Sequence, residues 1–311
     1  MLDGALATEL ERRGADLGGP LWSAKLLLEA PDLIEAVHYD YFVAGADVAT
    51  SASYQATFEG FAERGIGEKD AEGLLRLSVV LAQRARDRFW GDPRRREGRL
   101  RPLVAASVGC YGAYLHDGSE YRGDYGLTRN ELVQFHRRRM DVLVSAGADL
   151  LACETVPCRV EAEALTLLLS DYANTPAWIS FSCRSESEVS HGESFVECLR
   201  VASGADQVVA AGLNCTPPTL VSGLLACAKG VSEKPLTVYP NSGESWDGER
   251  HCWLPGSGPT PNETLAKQWH DLGARLIGGC CRTTPATIRA LSRARSRSIK
   301  HVVADDAPDG T

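Results

Sequence analysis

The chain has 311 residues, 44% of them hydrophobic, and its 41 acidic against 33 basic side chains leave a formal net charge of −8. That balance excludes the basic face that nucleic acid or an anionic membrane requires, and no uncharged apolar run approaches the ~20 residues of a membrane span. The length allows one large barrel or two ordinary domains, while ten cysteines and an opening stretch interrupted by Asp3 and Glu9 are those expected of a reduced, cytoplasmic protein without a secretory leader.

In chain order, Met1 to Leu10 reads as the tail of a first strand running into a turn and helix, a start short enough to suggest a truncated or late-starting N-terminus. Pro31-Asp32 opens a helix in which Leu33, Ile34, Val37, Tyr41 and Phe42 recur at helical spacing until Gly45-Ala46 ends it. Asp47 to Tyr54 predicts a strand and its following loop, Lys69 to Phe89 a long amphipathic helix, and the basic Pro93 to Arg99 a solvated loop. The alternation then continues: strand Leu103 to Val108, helix Thr128 to Ala146, strand Asp149 to Cys153, helix Arg159 to Ser170, strand Ala177 to Phe181, helix Ser194 to Ala202. Strand Val208 to Asn214, helix Pro218 to Ala228, strand Leu236 to Tyr239, helix Asn262 to Leu272, strand Leu276 to Gly278 and helix Pro285 to Ser292 complete it.

Gly45-Ala46-Asp47, Gly147-Ala148-Asp149, Gly204-Ala205-Asp206 and Gly273-Ala274-Arg275 precede strands, with glycine ending each helix. Eight apolar strands each followed by a helix predict an α/β protein built as a single-domain (β/α)8 TIM barrel over residues 1–295, for which ~250 residues is typical. Residues 296–311 read as a polar, poorly ordered tail. A doubly wound open sheet is the structural alternative; no Gly-x-Gly-x-x-Gly follows the early strands, which counts against it and against a Rossmann-type methyltransferase.

Two stretches carry the most chemistry, Gly212-Leu213-Asn214-Cys215-Thr216-Pro217-Pro218 and Gly278-Gly279-Cys280-Cys281-Arg282-Thr283-Thr284-Pro285. Each follows a short apolar run, so Cys215, Cys280 and Cys281 stand just beyond strand ends. Neighbouring strand residues face opposite ways, so Cys280 and Cys281 reach one ion only if the backbone bends, which Gly278 and Gly279 permit. Three thiolates without a fourth protein ligand describe a catalytic Zn²⁺ site with one position open, and soft sulfur selects zinc over magnesium or calcium. A net −1 site is a poor Lewis acid for hydrolysis and a good holder of another thiolate, so a substrate sulfur is expected there. The rivals are a vicinal Cys280-Cys281 disulfide and ordinary burial, which is the expected fate of Cys110, Cys153, Cys158, Cys183, Cys198, Cys227 and Cys252.

Barrel enzymes keep their chemistry at the C-terminal ends of strands. Asp3, Ser51, Ser53, Gly109 to Leu115, Glu154, Asn214-Cys215, Tyr239 to Glu244 and Cys280-Cys281 stand there. The carboxylates of Asp3 and Glu154 suit an ammonium group, and hydroxyls and backbone N–H groups suit a carboxylate; an amino acid with a thiol side chain satisfies all three features. For Asp3 a helix-capping role is the alternative.

These blocks resemble the homocysteine S-methyltransferase family: Asp3-Gly4-Ala5-Leu6-Ala7-Thr8-Glu9, Thr50-Ser51-Ala52-Ser53-Tyr54-Gln55-Ala56, Ser107-Val108-Gly109-Cys110-Tyr111-Gly112-Ala113-Tyr114, Asp117-Gly118-Ser119-Glu120-Tyr121, Glu154-Thr155, Gly212-Leu213-Asn214-Cys215, Tyr239 to Glu244 and Gly278-Gly279-Cys280-Cys281. Within it the S-methylmethionine-dependent homocysteine and selenohomocysteine methyltransferases look nearest. The resemblance implies that Cys215, Cys280 and Cys281 bind zinc and that homocysteine sulfur completes the tetrahedron. It also implies that Asp3 and Glu154 hold the amino group, with Ser51, Ser53 and the backbone near Gly4 at the carboxylate and Asn214 on the substrate side. The chain departs from some relatives in having Cys110 for Pro and Ser51 and Ser53 for threonines.

The expected reaction is direct methyl transfer from a sulfonium donor, S-methylmethionine or S-adenosylmethionine, to the homocysteine thiolate, without a protein general base. A cationic donor would sit against Tyr111, Tyr114 and Glu120 by cation–π and charge contacts. Partners are small molecules only, with no nucleic acid or membrane, and a monomer or weak homodimer is expected. A betaine-type enzyme, a zinc hydrolase and a non-enzymatic zinc-binding barrel are the alternatives; betaine relatives run longer, and none of the seven histidines has hydrolase spacing.

Overall fold

The computed structural model describes residues 1–17, 22–247, 252–254 and 258–294. Its centre is a curled sheet of seven parallel strands: β1 Val48–Thr50, β2 Leu103–Gly109, β3 Leu150–Val156, β4 Ala177–Phe181, β5 Val208–Asn214, β6 Leu236–Tyr239 and, after the antiparallel hairpin β7 Ser245–Asp247 and β8 Cys252–Leu254, β9 Ala274–Ile277. The order β1-β2-β3-β4-β5-β6-β9 follows the sequence, and helices connect the strands. Strands identical in bounds to the sequence reading are β4, β5 and β6, each an apolar run bounded by turn residues.

The expectation of eight strands is met by seven and a fragment. Leu2 forms an isolated parallel bridge to Val48, its N–H donates to Ile277 O at 2.8 Å, and Asp3 N–H donates to Val48 O at 3.1 Å. The opening residues thus bond to both outer strands of the sheet, yet Gly4 and Ala5 turn at once into the helix Leu6–Arg12, leaving no length for a strand. Gly4 is required there because a Cβ would lie 2.9 Å from both Tyr41 Cε1 and Thr283 Oγ1.

Basic Pro93–Arg96, expected as loop, is a one-turn helix with Pro at its first position and Asp92 accepting from Arg94 N–H at 3.0 Å. The hairpin β7–β8 and the short helix Phe58–Ala62, capped by Thr57, were not foreseen. The last described helix covers residues 285–294, and the predicted tail 296–311 lies outside the described residues.

Strand alternation builds two cores. Leu151 and Cys153 face the helices within the large apolar cluster, while Leu150 and Ala152 face inward with Leu2, Ala105, Trp178, Ala210 and Tyr239. Trp178 is wholly buried and its Nε1–H donates to Tyr239 OH at 2.9 Å, so its one polar atom is satisfied. Emptying such a site typically costs about 3–5 kcal/mol. Among the described residues no helix is long and apolar enough to cross a membrane.

Candidate active site

Parallel strands deliver all their C-terminal ends to one rim, and the three thiols gather there. Cys215 follows the last residue of β5, and Cys280 and Cys281 follow β9 by three and four residues. The segment leaving β6 lies between them and fixes both: Cys215 N–H donates to Tyr239 O at 3.3 Å, Asn241 N–H to Thr216 O at 3.1 Å, Cys280 N–H to Pro240 O at 2.7 Å, and Ser242 N–H to Cys281 O at 3.0 Å. Cys215 Sγ consequently lies 2.8 Å from Cys280 Sγ and 3.5 Å from Cys281 Sγ. The three sulfurs fall within 4.8 Å of one another.

Gly278 and Gly279 serve otherwise than expected. Neither adopts positive φ; a Cβ on Gly278 would come 2.6 Å from Leu2 Cβ, and one on Gly279 would strike Thr283 Oγ1. Gly278 allows the loop to approach the opening residues, and Gly279 allows it to fold closely on Thr283. The left-handed backbone falls on Thr155, Cys215 and Arg282, with φ of 60°, 48° and 65°. Such conformations cost about 1–3 kcal/mol each in non-glycine residues and persist only where the surroundings enforce them. Asn214 enforces the first: its Oδ1 accepts from Thr155 N–H and its Nδ2–H donates to Thr155 Oγ1, both at 2.8 Å. Asn214 is fully buried, with Nδ2 also 3.9 Å from Cys280 Sγ. Its amide is therefore engaged in the protein, where the sequence reading set it beside substrate.

Hydrogen bonds from Cys280 and Cys281 hold the Cys215 thiol well below its ordinary pKa, while both donors are pushed well above theirs. Tyr121 OH also donates to Cys215 Sγ, at 3.6 Å.

Three carboxylates, Asp3, Glu154 and Glu120, stand on this side of the sheet and form no ion pair among the described residues, although the Arg122 charge reaches Glu120. Asp3 accepts from Thr50 N–H and Thr50 Oγ1–H, each at 2.9 Å, and burial raises its pKa to about 8 against those bonds. Glu154 accepts a short hydrogen bond from Ser107 Oγ–H, and burial, aided by the charge of Cys215, raises it to about 7. Glu120 is raised to about 7 by burial and then by Cys215, and its Oε2 is buried with no hydrogen-bond partner. The charge of Glu154 adds to the rise at Asp3.

The serines are less available than expected. Ser53 Oγ–H donates to Ser107 O at 2.7 Å, which leaves Ser51 Oγ–H to donate to Ser53 Oγ at 2.7 Å, while Ser51 Oγ accepts from Ser107 N–H. Both hydroxyl protons are spent joining the ends of β1 and β2. Tyr111 and Tyr114 also lie apart from the thiols. Tyr111 packs on Tyr125, Phe135 and Tyr114, and Tyr114 OH donates to Glu63 at 2.7 Å on the exposed side. The aromatic groups that feel Cys215 are instead Tyr121 and Tyr54, whose phenols are raised by burial and by that thiolate's charge.

Of the other cysteines, Cys110, Cys153, Cys158, Cys183 and Cys198 are buried as expected, and Cys227 is exposed. The Cys252 side chain lies outside the described residues. A polar cavity of about 520 Å³ lined by Thr8, Arg12, Ser242, Glu244, Arg282 and Thr284 adjoins the loop but contains none of the thiols.

The donor set fits zinc: three soft sulfurs close together, with no fourth protein ligand in the group among the described residues. A sequence profile described as homocysteine S-methyltransferase matches residues 1–295. The homocysteine S-methyltransferase YbgG of Bacillus subtilis is 50% identical over 300 residues, covering 96% of this chain and 95% of its own. Homocysteine S-methyltransferase 1 of Zea mays is 49% identical, covering 94% and 93%. The solved structure of the homocysteine methyltransferase MmuM from Escherichia coli, in its metallated form, superposes with a TM-score of 0.84 at 47% identity over 94% of each chain.

Proposed function

The chain belongs to the homocysteine S-methyltransferase family, and on that premise we propose that it transfers a methyl group from S-methylmethionine or S-adenosylmethionine to the thiol of L-homocysteine, giving methionine. The observation that carries this reading is the convergence of three sulfurs with buried carboxylates that lack a cation. Cys215, Cys280 and Cys281 would hold Zn²⁺, which when bound keeps a coordinated thiol ionised at neutral pH.

Asp3 and Glu154 take the ammonium group of homocysteine, which relieves the repulsion between them. The substrate carboxylate lies toward the backbone near Gly4 and the ends of β1 and β2, with Ser51 and Ser53 shaping that wall through their mutual bond. Glu120 faces the positive sulfonium, with Tyr121 and Tyr54 beside it; Tyr111 and Tyr114 stand behind them. In the methyl step the homocysteine sulfur pair forms the new S–C bond while the bond from methyl carbon to donor sulfur breaks. Its electron pair stays on the donor, which leaves as a neutral thioether. No proton moves, so no general base is required, and the buried His38 and His136 are not needed.

The same reading closes the sheet into a (β/α)8 barrel of residues 1–295, with residues 1–3 in the eighth position; the bonds of Leu2 and Asp3 to β9 and β1 support it. It works on small molecules, as a monomer or weak homodimer, in the reducing cytoplasm that keeps the triad unoxidised.

The test is metal content of the purified protein together with methionine formation from homocysteine and each sulfonium donor, with betaine as a third arm. About one zinc per chain and methionine from a sulfonium donor is the expected result. Zinc without methionine from either donor, or turnover with betaine alone, refutes it.

A further inference from the structure

We propose that Glu161 is a positioning residue for the methyl-donor side of the site, acting as a clamp on both ends of the segment that carries Glu120 and Tyr121 to the thiols. The inference rests on the methyltransferase reading above. Residues 110–126 leave β2 and run through the helix Tyr111–Leu115 and the turn Ser119–Tyr121, with positive φ at His116, Gly118, Gly123 and Gly126. The bonds this path makes within itself are short-range, such as Tyr121 N–H to Gly118 O, Gly123 N–H to Ser119 O and Arg122 to Asp117 and Ser119; they shape its turns and do not join residue 111 to residue 125. Yet it delivers the two side chains that face Cys215, the unpartnered Glu120 carboxylate and the Tyr121 hydroxyl.

Both ends of that path meet one carboxylate. Tyr111 N–H, the first residue of the excursion, donates to Glu161 Oε1 at 2.6 Å, and Tyr125 OH, near its end, donates to Glu161 Oε2 at 3.1 Å. The two tyrosine rings also touch, with centroids 5.3 Å apart, which closes the loop at its base. Glu161 itself is fixed from the helix Arg159–Leu169 and is completely buried.

A third partner holds the carboxylate in place. Arg139 can only donate, so its contact with His136 Nδ1 at 2.6 Å makes that nitrogen the acceptor. The proton of His136 is then on Nε2, which donates to Glu161 Oε1 at 2.9 Å. Arg139 also donates to Gly109 O, the last residue of β2, so the network grips the strand end from which the segment departs. Buried Arg⁺ and Glu⁻ are thus bridged by a neutral imidazole, and the carboxylate's charge points its acceptors at the two tyrosines. Gln55 and Ser182 hold interior points of the segment, through Ala113 O and Glu120 O. Glu161 bonds to both ends at once, adding directed hydrogen bonds to the contact between the two tyrosine rings.

Tyr125→Phe removes one arm of the clamp, the donor to Oε2, and leaves the bonds of Tyr111 N–H and His136 to Oε1 in place. Its loss is expected to raise the KM for the sulfonium donor about three- to tenfold, the effect of one hydrogen bond, with the KM for homocysteine and the zinc content unchanged. Hydrogen exchange, read on the same protein without substrates, is expected to accelerate in residues 111–125 and nowhere else. Glu161→Gln, which keeps an oxygen for Tyr111 N–H, should shift the donor KM less than Glu161→Ala; if the alanine variant does not fold, Tyr125→Phe and Glu161→Gln carry the test. Unchanged exchange in 111–125 overturns the clamp. Accelerated exchange with an unchanged donor KM, or with both KM values raised together, overturns its link to the donor. Wild-type protein that turns over no sulfonium donor refutes the methyltransferase reading and with it the donor role, while the exchange result still decides whether the clamp exists.

Discussion

Glu154 and Glu161 stand seven residues apart in the chain, each buried, and the fold treats them in opposite ways. Glu161 receives a backbone N–H, a phenol and an imidazole N–H, with an arginine behind the imidazole. Glu154 receives chiefly the Ser107 hydroxyl and stands near the Cys215 sulfur, so burial drives its pKa to about 7. A carboxylate that organises the protein has its lone pairs filled by the protein; one kept for a ligand is left short. Glu120, whose Oε2 has no partner among the described residues, and Asp3, bonded through Thr50, share the second condition, and the Cys215 charge reaches both Glu120 and Glu154.

The sharpest way to break this contrast is at the thiol triad. Cys280→Ser should abolish zinc retention and lower methyl transfer by at least about a thousandfold, as loss of a whole catalytic element does. The thermal midpoint, measured on metal-free protein, should barely move, because Cys280 is at the rim. A variant with full turnover would remove Cys280 from the ligand set.

Glu154→Gln should cost about 10- to 100-fold in kcat/KM for homocysteine, the effect of one charge-assisted hydrogen bond of about 1.5–3 kcal/mol. Its donor KM should stay put, and an unchanged homocysteine KM would place Glu154 outside the substrate contacts.

Asp3 gives the comparison a pH axis. Its folded pKa of about 8 lies above the unfolded value near 4, so the folded chain binds the extra proton between them. The stability that Asp3 contributes is therefore complete below about pH 4 and is lost as pH rises through 8. Asp3→Asn has no proton to lose. Ligand-free variant should melt a few degrees above wild type at pH 8.5 and close to it at pH 5, while binding homocysteine more weakly. Equal melting curves at both pH values would show that Asp3 is not left short in the way described.

Tyr114→Phe should change neither KM by more than about twofold, since the lost bond to Glu63 is an exposed one. A large rise in donor KM would restore Tyr114 to the site.

Much of this was legible beforehand where a single local rule decides the outcome. The bounds of β4, β5 and β6 follow from apolar runs between turn residues, and the thiol triad from Asn-Cys and Gly-Gly-Cys-Cys at two strand ends. Tyr111 and Tyr114 pack on Phe135 and on each other, an orientation not legible in the sequence because adjacency to a strand end does not say which way a short helix turns its rings. Tyr121 reaches Cys215 only after two left-handed turns, at His116 and Gly118. The bend at the cysteines was credited to Gly278 and Gly279, and the left-handed residues proved to be Cys215 and Arg282. Nothing in the string Glu154 to Glu161 separates a ligand-facing acid from a structural one; the difference lies in donors from residues 107, 111, 125 and 136.

The four backbone bonds from Tyr239 to Ser242 have a consequence for the order in which the molecule is made. Cys215 and Cys280 are 65 residues apart, and the strip that aligns them belongs to neither loop. A nascent chain that has emerged only as far as β6 owns one thiol of the three and no means of placing the others, so the thiol triad is a late product of folding. If the triad takes a cation, its capture reports, during synthesis or refolding, that β9, the last strand of the sheet, has docked.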